Sequence, residues 1–228
     1  MSNSQEEQQG SGKVCSLPSV RNEIAHNLAG ENVTQGYSSS GRFSWPKPAA
    51  RRGYLTLMMV TDPGVASVAP FGGCDPMLAS NPVAAGIPTL GNPILIDQHT
   101  SLVSNAQVRS ADKSKPRPGN WIVAKKGWPT NDPAALPEGP PGTIMPLGGE
   151  DFGYKGFGFG IMVEAFALAL SGHGRFTPKQ RGAQGVFLQF IDPSSFSGRG
   201  AFLQETTDFV RWCKESRVAE GSRRSAAR

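Results

Sequence analysis

Apolar residues in this chain gather in short runs punctuated by glycine and proline. Residues 54–60 (YLTLMMV) stop at the turn Asp62-Pro63-Gly64, which reads as a buried strand. Residues 84–88 lead a second strand closed by Gly91-Asn92, and residues 94–96 a third that ends at Asp97. Residues 185–192 (GVFLQFID) alternate in part and read as a strand whose ladder Pro193 ends.

Between the strands lie helical patterns. Residues 49–53 read as a helix end stopped by Gly53. Residues 100–110 read as a helix with Thr100 or Asp97 as its cap. Residues 156–171 are apolar almost all round, the signature of a buried helix, with Gly172 as its stop. Residues 201–216 form an amphipathic helix with Phe202, Phe209, Val210 and Trp212 partly on one face. Residues 70–76, 112–120 and 128–149 read as loops. Strands and helices mix without a βαβ rhythm, so the pattern predicts an α+β domain around a mixed sheet.

Composition adds limits. Gly (28) and Pro (19) are abundant, which favours turns and short elements over a helical bundle. The net charge of +5 sits largely in a basic C-terminal end, including Arg217, Arg223, Arg224 and Arg228, and is expected to be a solvated tail. Basic residues are not interleaved with aromatics as in a nucleic-acid module, so no nucleic-acid partner is expected. Cys15, Cys74 and Cys213 are far apart and in no metal-ligand spacing, which fits a reducing compartment. The apolar core at residues 157–170 is too short to span a bilayer and contains Glu164. A cytoplasmic protein without a membrane partner is the expectation.

The candidate chemistry is sparse. Gly156, Gly158 and Gly160 lack the G-x-G-x-x-G spacing of a dinucleotide fingerprint and suit close packing of a helix better. No G-x-S-x-G elbow is present, and the histidines are His26, His99 and His173. Lys155, read as standing at a helix N-terminus, opposes the helix dipole unless an anion offsets it; a phosphate or carboxylate ligand would do so. Asp97, at a strand end ahead of a helix, can cap that helix or bind ribose hydroxyls. Glu164 is costly inside an apolar helix unless it pairs, for which Arg175 is available, or reaches solvent.

Five blocks then come in order: VAPFGG with SNPVAAGIP, PILIDQHTS, KKGWPTNDPAAL, IMPLGG with YKGFGFGIMVEAFALALSG, and GVFLQFIDPSSF. Together they resemble the type-2 malate/L-lactate dehydrogenase family, which includes ureidoglycolate dehydrogenases, over residues 41–213. The resemblance implies a non-Rossmann fold that binds NAD or NADP, a homodimer, and a small 2-hydroxy-acid or 2-oxo-acid substrate. It implies coenzyme contacts at Asp97, Gln98, His99, Thr100, Ser101 and Lys155, and near Asp62. Gln98 and His99 depart from the small or apolar residues expected in that block.

In the family a Ser-His-Gly segment and a following arginine hold the substrate carboxylate and take part in proton transfer. The chain has no such segment, and no histidine at residues 38–40, where the family carries another. His26 is the one stand-in for the base. The implied reaction moves a hydride from C2 of the hydroxy acid to the nicotinamide while a base takes the hydroxyl proton, help worth about 10²–10⁴-fold. The expectation is therefore a chain shortened at its N-terminus, with a poorly defined segment at 1–40, a coenzyme-binding oxidoreductase domain at 41–216 and a basic tail at 217–228. Its activity is that of a malate- or lactate-type dehydrogenase, or that of a catalytically dead coenzyme-binding or dimerising relative. Exposed apolar surface is expected as well.

Overall fold

A computed structural model describes residues 46–109, 119–136, 142–172, 174–176 and 184–220. The segment 1–40, His26, His173, most of the 112–120 loop and the last residues of the basic tail lie outside them.

Helix α1 (Pro46–Arg51) ends because Gly53 takes φ +88°, a region closed to most side chains, which lets the Tyr54 N–H reach the Ala49 carbonyl at 3.1 Å. Strand β1 (Leu55–Thr61) follows directly and lies inside the larger sheet. It pairs antiparallel with β2 (Val83–Ile87) on one side and with β7 (Gly185–Ile191) on the other, and β2 carries β3 (Ile94–Gln98) at the edge. The order is β3-β2-β1-β7. A small second sheet joins β5 (Pro129–Thr130), β4 (Ile122–Val123) and β6 (Thr143–Ile144). All of these ladders are antiparallel; the parallel contribution among the described residues is the bridge Val68–Ile144. The α+β class is as the sequence predicts.

The register sorts β1 onto two faces. Met58 and Val60 cluster with Ala84 and Leu188 on one face. α1 reaches Gly86 on the β2 strand beside it, where a Cβ would overlap the Pro46 carbonyl. Met59 faces the other way and clusters with Val163 and Ala167 of helix α3 (Gly149–Ala167), with Leu57, Val83 and Phe187 around them.

Helix α3 differs from its sequence reading in two ways. It starts at Gly149, a full two turns before residue 156, because Gly148 takes φ +105° and its carbonyl accepts the Phe152 N–H. With the 3-10 turn that ends at Gly172 it forms a run of 23 residues, Gly149–Ser171, long and apolar enough by length and composition to cross a membrane, which residues 157–170 alone are not. Nor is it buried all round. Its covered residues are Gly153, Gly156, Gly160, Val163 and Ala167, a stripe of mostly small residues spaced three and four apart. Phe152, Tyr154, Phe159, Ile161 and Phe166 are exposed. Small residues bring the helix backbone close to its neighbours, and the bulky residues are left on the far side.

The helix expected over 100–110 is also shorter. Helix α2 covers Asn105–Arg109, and its cap is neither Thr100 nor Asp97. Ser104 and Gln107 exchange hydrogen bonds: the Gln107 N–H donates to Ser104 Oγ at 3.0 Å, and the Ser104 N–H donates to Gln107 Oε1 at 2.8 Å. This is a capping box.

Helix α4 (Arg199–Glu215) buries no residue fully. Phe202, Leu203, Thr206, Thr207 and Val210 form its half-covered face, while Phe209 and Trp212 are exposed. It is held by hydrogen bonds to the β2–β3 connection, from Thr206 Oγ1 to the Pro88 carbonyl (2.7 Å) and from the Leu90 N–H to Thr207 Oγ1 (2.9 Å).

Candidate functional site

The Asp97-Gln98-His99-Thr100-Ser101 block runs off the edge strand β3. Asp97 pairs with Ala84 and so lies on the α1 face of the sheet, whereas Gln98 pairs with Val83 and lies on the α3 face. Both are exposed, and His99 is half-buried. Burial lowers the His99 pKa, so the ring is held neutral, with one nitrogen able to accept a proton or a hydrogen bond.

Thr100 and Ser101 turn inward and are buried. The Thr100 N–H and Oγ1 both donate to the Ser80 carbonyl, at 3.1 and 3.2 Å. Ser101 bridges to Pro146, and its hydroxyl donates to the Val103 carbonyl at 2.8 Å. With their protons committed, these two residues set the course of the backbone on which Asp97, Gln98 and His99 stand.

The same segment is tied to α3. The Thr100 carbonyl accepts the Leu147 N–H at 2.9 Å, and the Leu147 carbonyl accepts the Gly156 N–H at 3.0 Å. A Cβ at Gly156 would overlap the Leu147 backbone, so glycine is what permits this approach. Lys155 is the neighbour of Gly156 and is exposed, its Nζ 5.0 Å from the Phe152 ring centre and 5.8 Å from that of Tyr154. Its position corrects the sequence reading. Lys155 stands in the second turn of the helix, and Glu150 and Asp151 occupy the first, where they complement the dipole. No anion is therefore required to offset Lys155, an exposed cation next in sequence to Gly156.

Asp62 is more distant in the network. It sits in the turn after β1, where its Oδ1 accepts the Gly64 N–H at 2.8 Å, an ordinary Asx turn. The turn reaches the block indirectly. Thr61 Oγ1 donates to Glu164 Oε1 of α3 (3.0 Å), Asn81 Nδ2 donates to the same oxygen (2.8 Å), and the carbonyl of the adjacent Ser80 holds Thr100. Arg175 completes the pairing expected for Glu164, with Nη2 2.7 Å from Oε1 and Nε 3.0 Å from Oε2. Thr61 and Asn81 escape sequence reasoning because they lie far along the chain from Glu164.

The block thus presents a carboxylate, an amide and a half-buried imidazole in succession on a backbone braced by its own hydrogen bonds. Among the described residues no cluster of His, Cys, Asp or Glu could hold a metal ion.

Comparison with known proteins gives the family of the chain. The family model for malate/L-lactate dehydrogenase matches residues 34–226. The chain is 34% identical over 180 residues to a Δ1-pyrroline-2-carboxylate/Δ1-piperideine-2-carboxylate reductase of Pseudomonas syringae, covering 73% of the chain and 50% of the relative. It is 32% identical over 161 residues to an L-lactate dehydrogenase of Cupriavidus necator, covering 68% and 45%. The chain thus spans about half the length of the curated relatives it matches. Among solved structures, Δ1-piperideine-2-carboxylate reductase from Pseudomonas syringae superposes with a TM-score of 0.64 at 30% identity, over 74% of this chain and 51% of that one. Sulfolactate dehydrogenase from Methanocaldococcus jannaschii gives 0.65 at 26% identity, over 80% and 52%. By sequence and by fold, the chain belongs to the malate/L-lactate dehydrogenase family.

Proposed function

We propose that this chain binds NAD or NADP and serves hydride transfer between that coenzyme and a small 2-hydroxy or 2-oxo acid such as malate or lactate. The observation that carries the reading is the bracing of Thr100 through Leu147 to Gly156, which fixes Asp97, Gln98 and His99 relative to the helix that bears Lys155. Such pre-set backbone lowers the ordering cost of binding a flexible ligand.

In this reading Lys155 meets coenzyme phosphate as a point charge. Asp97 accepts hydrogen bonds from ribose hydroxyls, and Gln98 and His99 flank it. Asp62 contributes its remaining carboxylate oxygen. Thr100 and Ser101 act through the backbone they hold. The coenzyme supplies the hydride acceptor carbon. His26 stands as the base for the hydroxyl proton, as the sequence suggests. The exposed apolar side chains of α3 support a homodimer, and exposed free Cys74 and Cys213 suit a reducing cytoplasm.

The test is oxidation of L-malate and L-lactate by the full chain with NAD+ and NADP+, followed by absorbance of the reduced coenzyme, with size-exclusion chromatography on the same sample. Turnover supports the dehydrogenase reading. Coenzyme binding without turnover selects the catalytically silent, coenzyme-binding alternative. Absence of both overturns the proposal.

A further inference from the structure

Glu164 stands at the centre of a side-chain hydrogen-bond network. Its carboxylate accepts from Thr61 Oγ1, Asn81 Nδ2 and the Nη2 and Nε of Arg175, at 2.7–3.0 Å. The ion pair is largely covered, with the Arg175 and Glu164 side chains 17% and 18% exposed. Arg175 spends its remaining fork nitrogen, Nη1, on the Val65 carbonyl at 2.7 Å. Asn81 is fully buried at φ +41°, a strained backbone for a residue other than glycine, and its Nδ2 also donates to the Gly160 carbonyl at 3.2 Å. Its Oδ1 has no hydrogen-bond partner among the described residues.

If the packing of α3 on the sheet were all that mattered, an apolar pair at these positions would serve, because replacing a buried charge pair by well-packed apolar residues is often neutral or stabilising. What the carboxylate adds is geometry. It joins three separate segments: the turn after β1 through Thr61 and, by way of Arg175, Val65; the Ser80-Asn81 corner; and α3 itself. The first carries Asp62. The second holds Thr100 by two hydrogen bonds to one carbonyl. The third carries Lys155 about two and a half turns away. These are the segments assigned to the coenzyme.

We propose that Glu164, locked by Arg175, is a positioning residue for the coenzyme site, setting the Asp62 turn, the Thr100 segment and helix α3 relative to one another. This inference rests on the reading given under Proposed function. Glu164 touches no ligand; it acts through Thr61, Asn81 and Val65.

The experiment titrates the full chain and its Glu164→Gln and Arg175→Lys variants with NADH and with NADPH, well below the unfolding midpoint of each, and records far-UV circular dichroism on the same samples. Glutamine keeps the size of the side chain but loses the charge that organises Arg175. Lysine keeps the charge but cannot serve Glu164 and the Val65 carbonyl together. The expected result is a Kd raised about tenfold or more in folded Glu164→Gln, with a smaller rise in Arg175→Lys. A merely structural brace would lower the unfolding midpoint and leave Kd unchanged in the folded protein, and that result overturns the proposal. Should Glu164→Gln fail to fold, Arg175→Lys decides alone by the same criterion. Failure of the unaltered chain to bind either coenzyme overturns the functional reading, and this inference with it; unchanged Kd in the variants against a binding parent overturns this inference only.

Discussion

The Thr100 carbonyl and the Leu147 N–H meet at 2.9 Å, and through Leu147 the edge-strand block is fastened to the second turn of α3. The fastening depends on Gly156. Gly156→Ala forces its Cβ into the Leu147 backbone, and an overpacking loss of about 1–3 kcal/mol is expected. Gly158→Ala, two residues on and facing open space, should instead stabilise by about 0.5–1 kcal/mol through helix propensity. Urea unfolding of the two variants checks both signs. Equal effects would mean that the glycines of this helix are interchangeable and that the close approach has no energetic weight.

Lys155 lies on the exposed side of the helix, against Phe152 and Tyr154. Lys155→Met retains the stem that packs on those rings and removes the charge. Stability should stay within about 0.5 kcal/mol, as for most surface changes. Loss of a charge-assisted phosphate contact of about 1.5–3 kcal/mol should raise the coenzyme Kd by about ten- to a hundredfold. Fluorescence titration of the variant at two salt concentrations measures this, and the parent's affinity should fall with salt more steeply than the variant's.

His99 gives the site a pH dependence. Burial lowers its pKa below the ordinary value of 6.5, so the folded protein favours the neutral ring. The unfolded chain then takes up a proton first as pH falls. The stabilising contribution is full above pH 6.5 and is lost as pH drops from there through the lower folded-state pKa. Unfolding midpoints at pH 7.5, about 6 and 5 should fall more steeply for the parent than for His99→Gln. Parallel profiles would place the ring in free contact with water.

Ser104→Ala removes one half of the capping box that starts α2, at an expected cost of about 0.5–2 kcal/mol, whereas Ser104→Gly should cost only a few tenths. Chemical denaturation of the pair distinguishes loss of the cap from a general change at the site.

Strands and stops were legible in the sequence because their signals are local. The run at 54–60 had a turn behind it, Gly53 and Gly172 supplied the left-handed backbone at helix ends, and Asp192-Pro193 closed β7. The start of α3 was not legible, because GGEDFGY carries the composition of a turn, and only the fold shows that its glycines are packing positions. The same residues explain why apolar character all round did not mean burial all round: contact falls on Gly153, Gly156 and Gly160, and the aromatic residues between them are left outside. The 100–110 pattern misled for a related reason. Thr100 or Asp97 looked like the cap, but Thr100 is claimed by tertiary bonds to the Ser80 carbonyl, and the true cap stands at Ser104.

The site was legible unevenly. Five ordered blocks sufficed for the family, and the cost of a carboxylate among apolar residues pointed from Glu164 to Arg175. Lys155 was singled out for a helix-end dipole that the fold places elsewhere. Thr61 and Asn81 were invisible, since nothing in either residue's neighbourhood along the chain names Glu164 as a partner.

The most direct measurement is a fluorescence titration of the purified full chain with NADH and NADPH. The account predicts saturable binding of at least one, weakened by Lys155→Met. Titrations that fail to saturate with either coenzyme, on a chain shown to be folded by circular dichroism, would contradict it and return Asp97 and Lys155 to structural roles.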